Sequence, residues 1–169
     1  MKMDERRLAD AKLAIALELY RTFFSEPLAH GKLIVLMTVL EVLAERRKRP
    51  PVVQDLLRQF VDRAEQMAAA LATGSEEATA LESLRRELDF RKEDSIRSSI
   101  GRLVRDTLSD DPDVVALSQT AVRAYDARST LVHDGVLPDA DVTRALDSVW
   151  PIAKRLLVAR ASAVGGDLG

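Results

Sequence analysis

Two side chains have the types and the spacing for phosphate chemistry. They are Arg128 and His133, in the stretch Tyr125-Asp126-Ala127-Arg128-Ser129-Thr130-Leu131-Val132-His133-Asp134-Gly135. Arginine offers a planar, permanently charged fork that matches phosphate oxygens. Histidine gives or takes a proton near neutral pH. Together they make a candidate phosphate site, and acting on RNA such a site would suit strand cleavage without metal. A base removes the 2′-hydroxyl proton, the oxygen attacks the adjacent phosphorus, and an acid protonates the leaving 5′-oxygen. A fixed cation stabilises the charge that develops on phosphorus. The chain has two histidines, His30 and His133, and His30, next to Gly31 near a helix start, reads as exposed and inert. Separate base and acid roles then require a second copy of His133, which a symmetric homodimer supplies. A second reading of the same residues is structural. Arg128 then satisfies a neighbouring helix end or carboxylate while its stem lies on apolar surface, and His133 sits at a helix C-terminus favoured by the dipole.

On a helical projection of residues 114–133, Val114, Leu117, Ala121, Tyr125 and Val132 form an apolar arc. Arg128 falls inside that arc, and His133 lies about 140° round the helix from Arg128. A cation aimed at an apolar seam calls for a partner. The pattern Arg-Ser-Thr-Leu-Val-His resembles the R-x4-6-H signature of the HEPN superfamily, and Tyr-x-x-Arg-Ser-x-Leu-Val-His-Asp-Gly looks most like its Apea-like branch. The apolar stretch Leu33–Leu43 with Leu40-Glu41 is similar to the early helix ending in Leu-Glu of such domains, so the resemblance covers roughly residues 25–160. It implies an all-α bundle, an endoribonuclease site built from two motifs meeting at a homodimer interface, and a toxin or defence effector held by an antitoxin-like partner. Nuclease-type members often carry Asn, Asp or His directly after the arginine. Ser129 stands there in this chain and is a weaker polar partner.

Other candidates surround this pair. Glu41 is an acid on the most apolar helix. It is either part of an exposed strip with Thr38 and Glu45 or a buried carboxylate paired to Arg128 or near His133, in which case it orders the motif without reacting. Arg97, Arg102 and Arg105 share one arc of a helix and form a candidate phosphate-facing, nucleic-acid-binding patch. The run Arg46–Arg49 reads as a solvated helix end. Asp110-Asp111-Pro112-Asp113 lacks EF-hand spacing and reads as helix capping. Zinc-type spacing, a phosphate loop and a serine-nucleophile elbow are absent from the sequence, so no metal or cofactor is assigned.

The elements that must position these residues are all helices. The periodicity predicts helices over about 4–24, with Leu8, Ala11, Ile15, Leu19 and Phe23 as the apolar stripe, and over 28–48 as the buried centre. Pro51 opens a third helix, in which Val53, Phe60 and Met67 recur every seven residues, as do Leu57, Ala64 and Leu71. Ser75 caps a fourth, whose Leu81, Leu84 and Leu88 can face the third. A fifth starts at Asp94 or Ser95 and runs to about Leu108. The sixth runs from Asp111-Pro112-Asp113 to His133-Asp134-Gly135. Asp139 caps the seventh, with Val142, Leu146, Val149, Ile152 and Leu156 inward and a kink or restart expected at Pro151. The expected architecture is an all-α, single-domain, HEPN-like bundle of six to seven helices over 1–163, with a flexible tail at 164–169.

Composition sets the outer limits. A chain of 169 residues, 47% hydrophobic and 31% charged, can bury a substantial core. Aromatics make up 4%, so Leu, Val, Ile and Ala must fill it. A net charge of −2 makes the whole molecule no magnet for nucleic acid, and RNA contact has to be local. The absence of cysteine excludes disulfides and thiolate metal sites and fits a reducing cytosol. No signal peptide is read, and the longest apolar run falls short of a membrane span. A soluble, cytoplasmic protein is expected. Three function classes stay open: a metal-independent endoribonuclease, a non-catalytic nucleic-acid or nucleotide binder, and a helical protein-interaction module.

Overall fold

Residues 33–43 are apolar on almost every side, and only a helix surrounded by others can bury them all. In the computed structural model, which describes residues 2–165 and the side chains of 11–163, that helix is central. Helix α2 (Ala29–Leu43) buries Leu33, Leu36, Met37, Val39 and Leu40 completely. The other helices are α1 (Lys2–Ser25), α3 (Pro51–Ala69), α4 (Glu76–Phe90), α5 (Ile96–Thr107), α6 (Val114–Asp134) and α7 (Asp139–Gly165). Among the described residues there is no strand, only an isolated antiparallel bridge between Lys48 and Glu93. The protein is all-α.

The chain divides into two compact units. The first joins residues 1–45 to 96–169, and the second is residues 46–95. In the first, α1 and α7 pack on α2, α5 packs on α6, and α6 and α5 meet α7 and α2. Its core is aliphatic, as the scarcity of aromatics requires: Ile100, Leu103 and Val104 from α5, Ala121 and Ala124 from α6, and Val142, Val149, Ile152, Ala153, Leu156 and Leu157 from α7. An aromatic group lies at one edge. Trp150 stacks on Phe23 with ring centroids 6.4 Å apart, and its indole N–H donates to Tyr20 Oη at 2.9 Å. The second unit is the α3–α4 hairpin with its flanking segments, and its helices pack on each other.

The local signals explain most boundaries. Pro51 occupies the first position of α3. Ser75 Oγ accepts from Ala78 N at 3.2 Å at the start of α4. Gly135, at φ +72°, ends α6 in the left-handed conformation, its N–H bonding to Leu131 O. Asp111 rather than Asp113 supplies the carboxylate at the start of α6, accepting from Asp113 N at 2.7 Å and pairing with Arg155. Helix α7 continues through Pro151 without a restart. It reaches Gly165, so residues 164 and 165 of the expected tail are helical, and 166–169 lie outside the described residues.

Two expectations need correction. Helix α2 stops at Leu43, not near 48. The run Arg46–Arg49 is an extended segment whose backbone pairs with residues 92–94, and the guanidinium of Arg46 donates to Asp94 O while that of Arg49 donates to Glu93 O. Pro50-Pro51 disfavours helix in the residue before it, and four adjacent cations repel within a helical turn. The stripe of α1 is also rotated. Leu13, Ala16 and Phe23 are buried, whereas Ala11 and Ile15 are exposed, and the side chain of Leu8 lies outside the described residues. This helix is apolar on several faces, and Ala16, fully buried, selects the face that packs closest.

Candidate functional site

Helix α6 delivers the candidate pair. Its buried face comprises Ser118, Ala121 and Ala124, with Leu117, Tyr125 and Ala127 partly covered. Arg128 continues that face toward the C-terminus, whereas Val132, expected on the apolar arc, is about half exposed in the last turn. Arg128 is about one-fifth exposed, and its Nη1 lies 3.6 Å from Glu41 Oε1 on α2, itself about one-fifth exposed. Of the two readings of Glu41, the structure has the paired one. At 3.6 Å the contact is an ion pair beyond hydrogen-bond reach. The Nε of Arg128 is buried and donates to no group among the described residues. Such an orphan donor costs about 1–3 kcal/mol while it stays unpaired.

His133 is exposed in the last turn of α6, one residue before Asp134 and two before the Gly135 cap. Five helical residues set it about 7 Å along the axis from Arg128 and well round the helix. Arg128 and His133 therefore share an element but not a set of contacts within one chain. Ser129 and Tyr125 are half-buried, Tyr125 against the core.

The α5 arginines have intramolecular work. Arg97 grips Asp126 of α6 with two hydrogen bonds of 2.7 and 2.9 Å, and the carboxylate pushes its guanidinium pKa above the ordinary arginine value. Arg105 donates to Ser118 Oγ at 2.7 Å, and Ser118 donates to the carbonyl of Gly101 at 2.9 Å. A Cβ at Gly101 would lie 3.2 Å from Val122, so α5 and α6 meet closely there. Arg102 donates to Glu45 O at 2.7 Å. The three arginines lie on one helix, and each ties it to a neighbouring segment of the same unit.

His30, expected to be exposed, is partly covered and held by contacts across the fold. It is half-buried, with Nε2 3.3 Å from Leu137 O and 3.7 Å from Asp139 Oδ1. It anchors the start of α2 to the segment that leaves the motif. Nothing local in the sequence marks this contact, because its partner lies over a hundred residues away.

In comparisons with family models, curated proteins and solved structures, the chain finds no significant match.

Proposed function

We propose that this chain is a HEPN-like protein that acts on RNA. Arg128 holds a phosphate and His133 moves a proton, and a second copy contributes the other His133 across the α6 faces of a homodimer. The reading carries with it a metal-independent endoribonuclease of the toxin or defence type, restrained by an antitoxin-like protein. One observation supports it above the others: the uncommitted Nε of Arg128 beside a Glu41 contact too long for a hydrogen bond. Because that Nε is shielded from solvent, the fork would have to turn outward about its long Glu41 contact before a phosphate oxygen gave it a charge-assisted bond. Glu41 is a positioning residue on this account, while Ser129 and Tyr125 line the approach. Arg97, Arg102 and Arg105 contribute positive field from α5 while tied to their intramolecular partners.

The test is cleavage of single-stranded RNA in excess EDTA. Products should carry a cyclic phosphate, because a 2′-oxygen nucleophile closes that ring. DNA lacks the 2′-hydroxyl and should resist. RNA bound but never cut, with binding weakened by Arg128→Ala, would leave a non-catalytic binder. A second reading, a protein-interaction module, draws on the apolar groove of about 360 Å³ between α1 and α7, lined by Leu17, Tyr20, Phe24, Trp150 and Val158. Neither cutting nor binding of RNA would favour it.

A further inference from the structure

The α3–α4 hairpin leaves an apolar face without a partner in its own unit. Along α3, Val53, Phe60 and Met67 recur every seven residues, the spacing of a helix packed against other helices. The hairpin uses only one side of that seam. Val61 and Ala64 are buried against α4, whereas Leu56, Phe60 and Met67 on the other side stay 45–52% exposed. Leu84 of α4 is 45% exposed beside half-buried Leu81 and Leu88. The exposed edges of the two helices converge on a groove of about 380 Å³ with Phe60, Met67, Leu84 and Leu88 in its walls. The unit's buried apolar side chains are Val61, Ala64 and Ala78 among the described residues, a thin core for a stretch of this length.

We infer that this face binds a second copy of itself, two hairpins pairing about a two-fold axis into a four-helix bundle. The inference goes beyond the RNA reading and does not depend on it. Two observations select a second copy as the occupant. The first is area. The exposed parts of Leu56, Phe60, Met67 and Leu84, with the rims of Leu81 and Leu88, amount to on the order of 400 Å² of apolar surface. A standard-size interface takes roughly 500 Å² of apolar surface from each partner. The second is charge. Arg63 follows Phe60 by three residues and lies on the same edge of α3, where its other neighbours are Gln59 and Gln66. Glu77 and Glu87 stand seven before and three after Leu84, on the corresponding edge of α4, two acids against the one base Arg91 at the end of the helix. Arg63, Glu77 and Glu87 are exposed, and none has an ion pair among the described residues, although Arg58, Arg85 and Lys92 of the same unit do. A two-fold axis that sets α3 on the other copy's α4 brings each Arg63 to an acidic edge twice over. Like charges would meet if α3 lay on α3.

Sedimentation equilibrium of the full chain from about 1 to about 100 µM decides the matter. Wild type should show twice the mass of Phe60→Glu, whose far-UV circular dichroism should be unchanged because the side chain is half exposed. Leu84→Glu should behave likewise, each weakening association by ~100-fold or more. Arg63→Glu should weaken it ~10-fold, and adding Glu77→Arg or Glu87→Arg should restore it to within ~3-fold. The factor of two holds if the α6 faces do not pair or if the two contacts close a tetramer; if they form an open chain, Phe60→Glu stops its growth at the dimer. A wild type of 18.7 kDa throughout that range overturns the inference and leaves a helix of another protein as the occupant. So does a wild-type assembly whose mass survives both glutamate substitutions. Restoration by neither charge reversal overturns the pairing of α3 on α4.

Discussion

At the scale of single residues, everything turns on how Arg128 spends its charge. If it holds phosphate, Arg128→Ala should slow RNA cleavage at least ~100-fold, as should His133→Ala through loss of the proton carrier. Arg128→Lys should also fail, because it keeps the charge and loses the fork. Glu41→Gln should cost no more than about 1 kcal/mol of stability through its partly exposed ion pair and lower the rate less than Arg128→Ala does; equal losses would place Glu41 in the chemistry itself. The pairing of Glu41 with Arg128 was legible from sequence, since an acid on an apolar helix and a cation in an apolar arc each need a partner. The orphaned Nε was not, because it depends on ångström-scale placement across two helices. Nor was the contact of His30 with Leu137 and Asp139, which only the long-range fold creates.

At the scale of elements, α2 is the helix whose loss the fold should tolerate least. Leu40→Ala, at a completely buried site, should cost about 2–5 kcal/mol in chemical denaturation. A loss below about 0.5 kcal/mol would mean that the position is not packed. The junction of α6 and α7 carries a pH dependence. Arg155 beside Asp111, together with the N–H of Asp113, holds the Asp111 carboxyl below its usual range. A carboxyl lowered in the folded state contributes stability that is present above its unfolded value, near pH 4, and is lost as pH falls through the folded value. Wild type should therefore melt higher than Asp111→Asn at pH 7, and the gap should close on acidification; a gap independent of pH would refute the pairing. Caps, prolines and glycines made the ends of α3, α4 and α6 readable in advance. The end of α2 and the face of α1 were not, because backbone pairing with the sequence-distant residues 92–94 and close packing at Ala16 decided them.

At the scale of the whole molecule, the helix count and the all-α class followed from periodicity and punctuation alone. The division into two units did not. The heptad spacing of α3 was visible, but a repeat cannot say whether its partner is the next helix or another molecule. The structure gives α4 one side of the seam and leaves the other open. Assembly through two faces on different units would make a closed tetramer or an open chain, and only closure keeps the protein finite in size. A mass that saturates at about four times 18.7 kDa would mark closure, and one that climbs with concentration an open chain.

The indole that reaches Tyr20 is the sequence's only tryptophan, and both tyrosines, Tyr20 and Tyr125, also belong to the first unit. The hairpin unit contains only Phe60 and Phe90 as aromatics. Emission excited at long ultraviolet wavelengths is thus blind to the hairpin, whereas far-ultraviolet dichroism sees both units in proportion to their helix. The chain carries its own two-channel readout with no label attached. If the units melt together, the two optical curves superimpose at every protein concentration. If dimerisation holds the hairpin, the dichroism acquires a separate phase that moves with concentration, while the tryptophan signal moves only if the α6 faces pair as well.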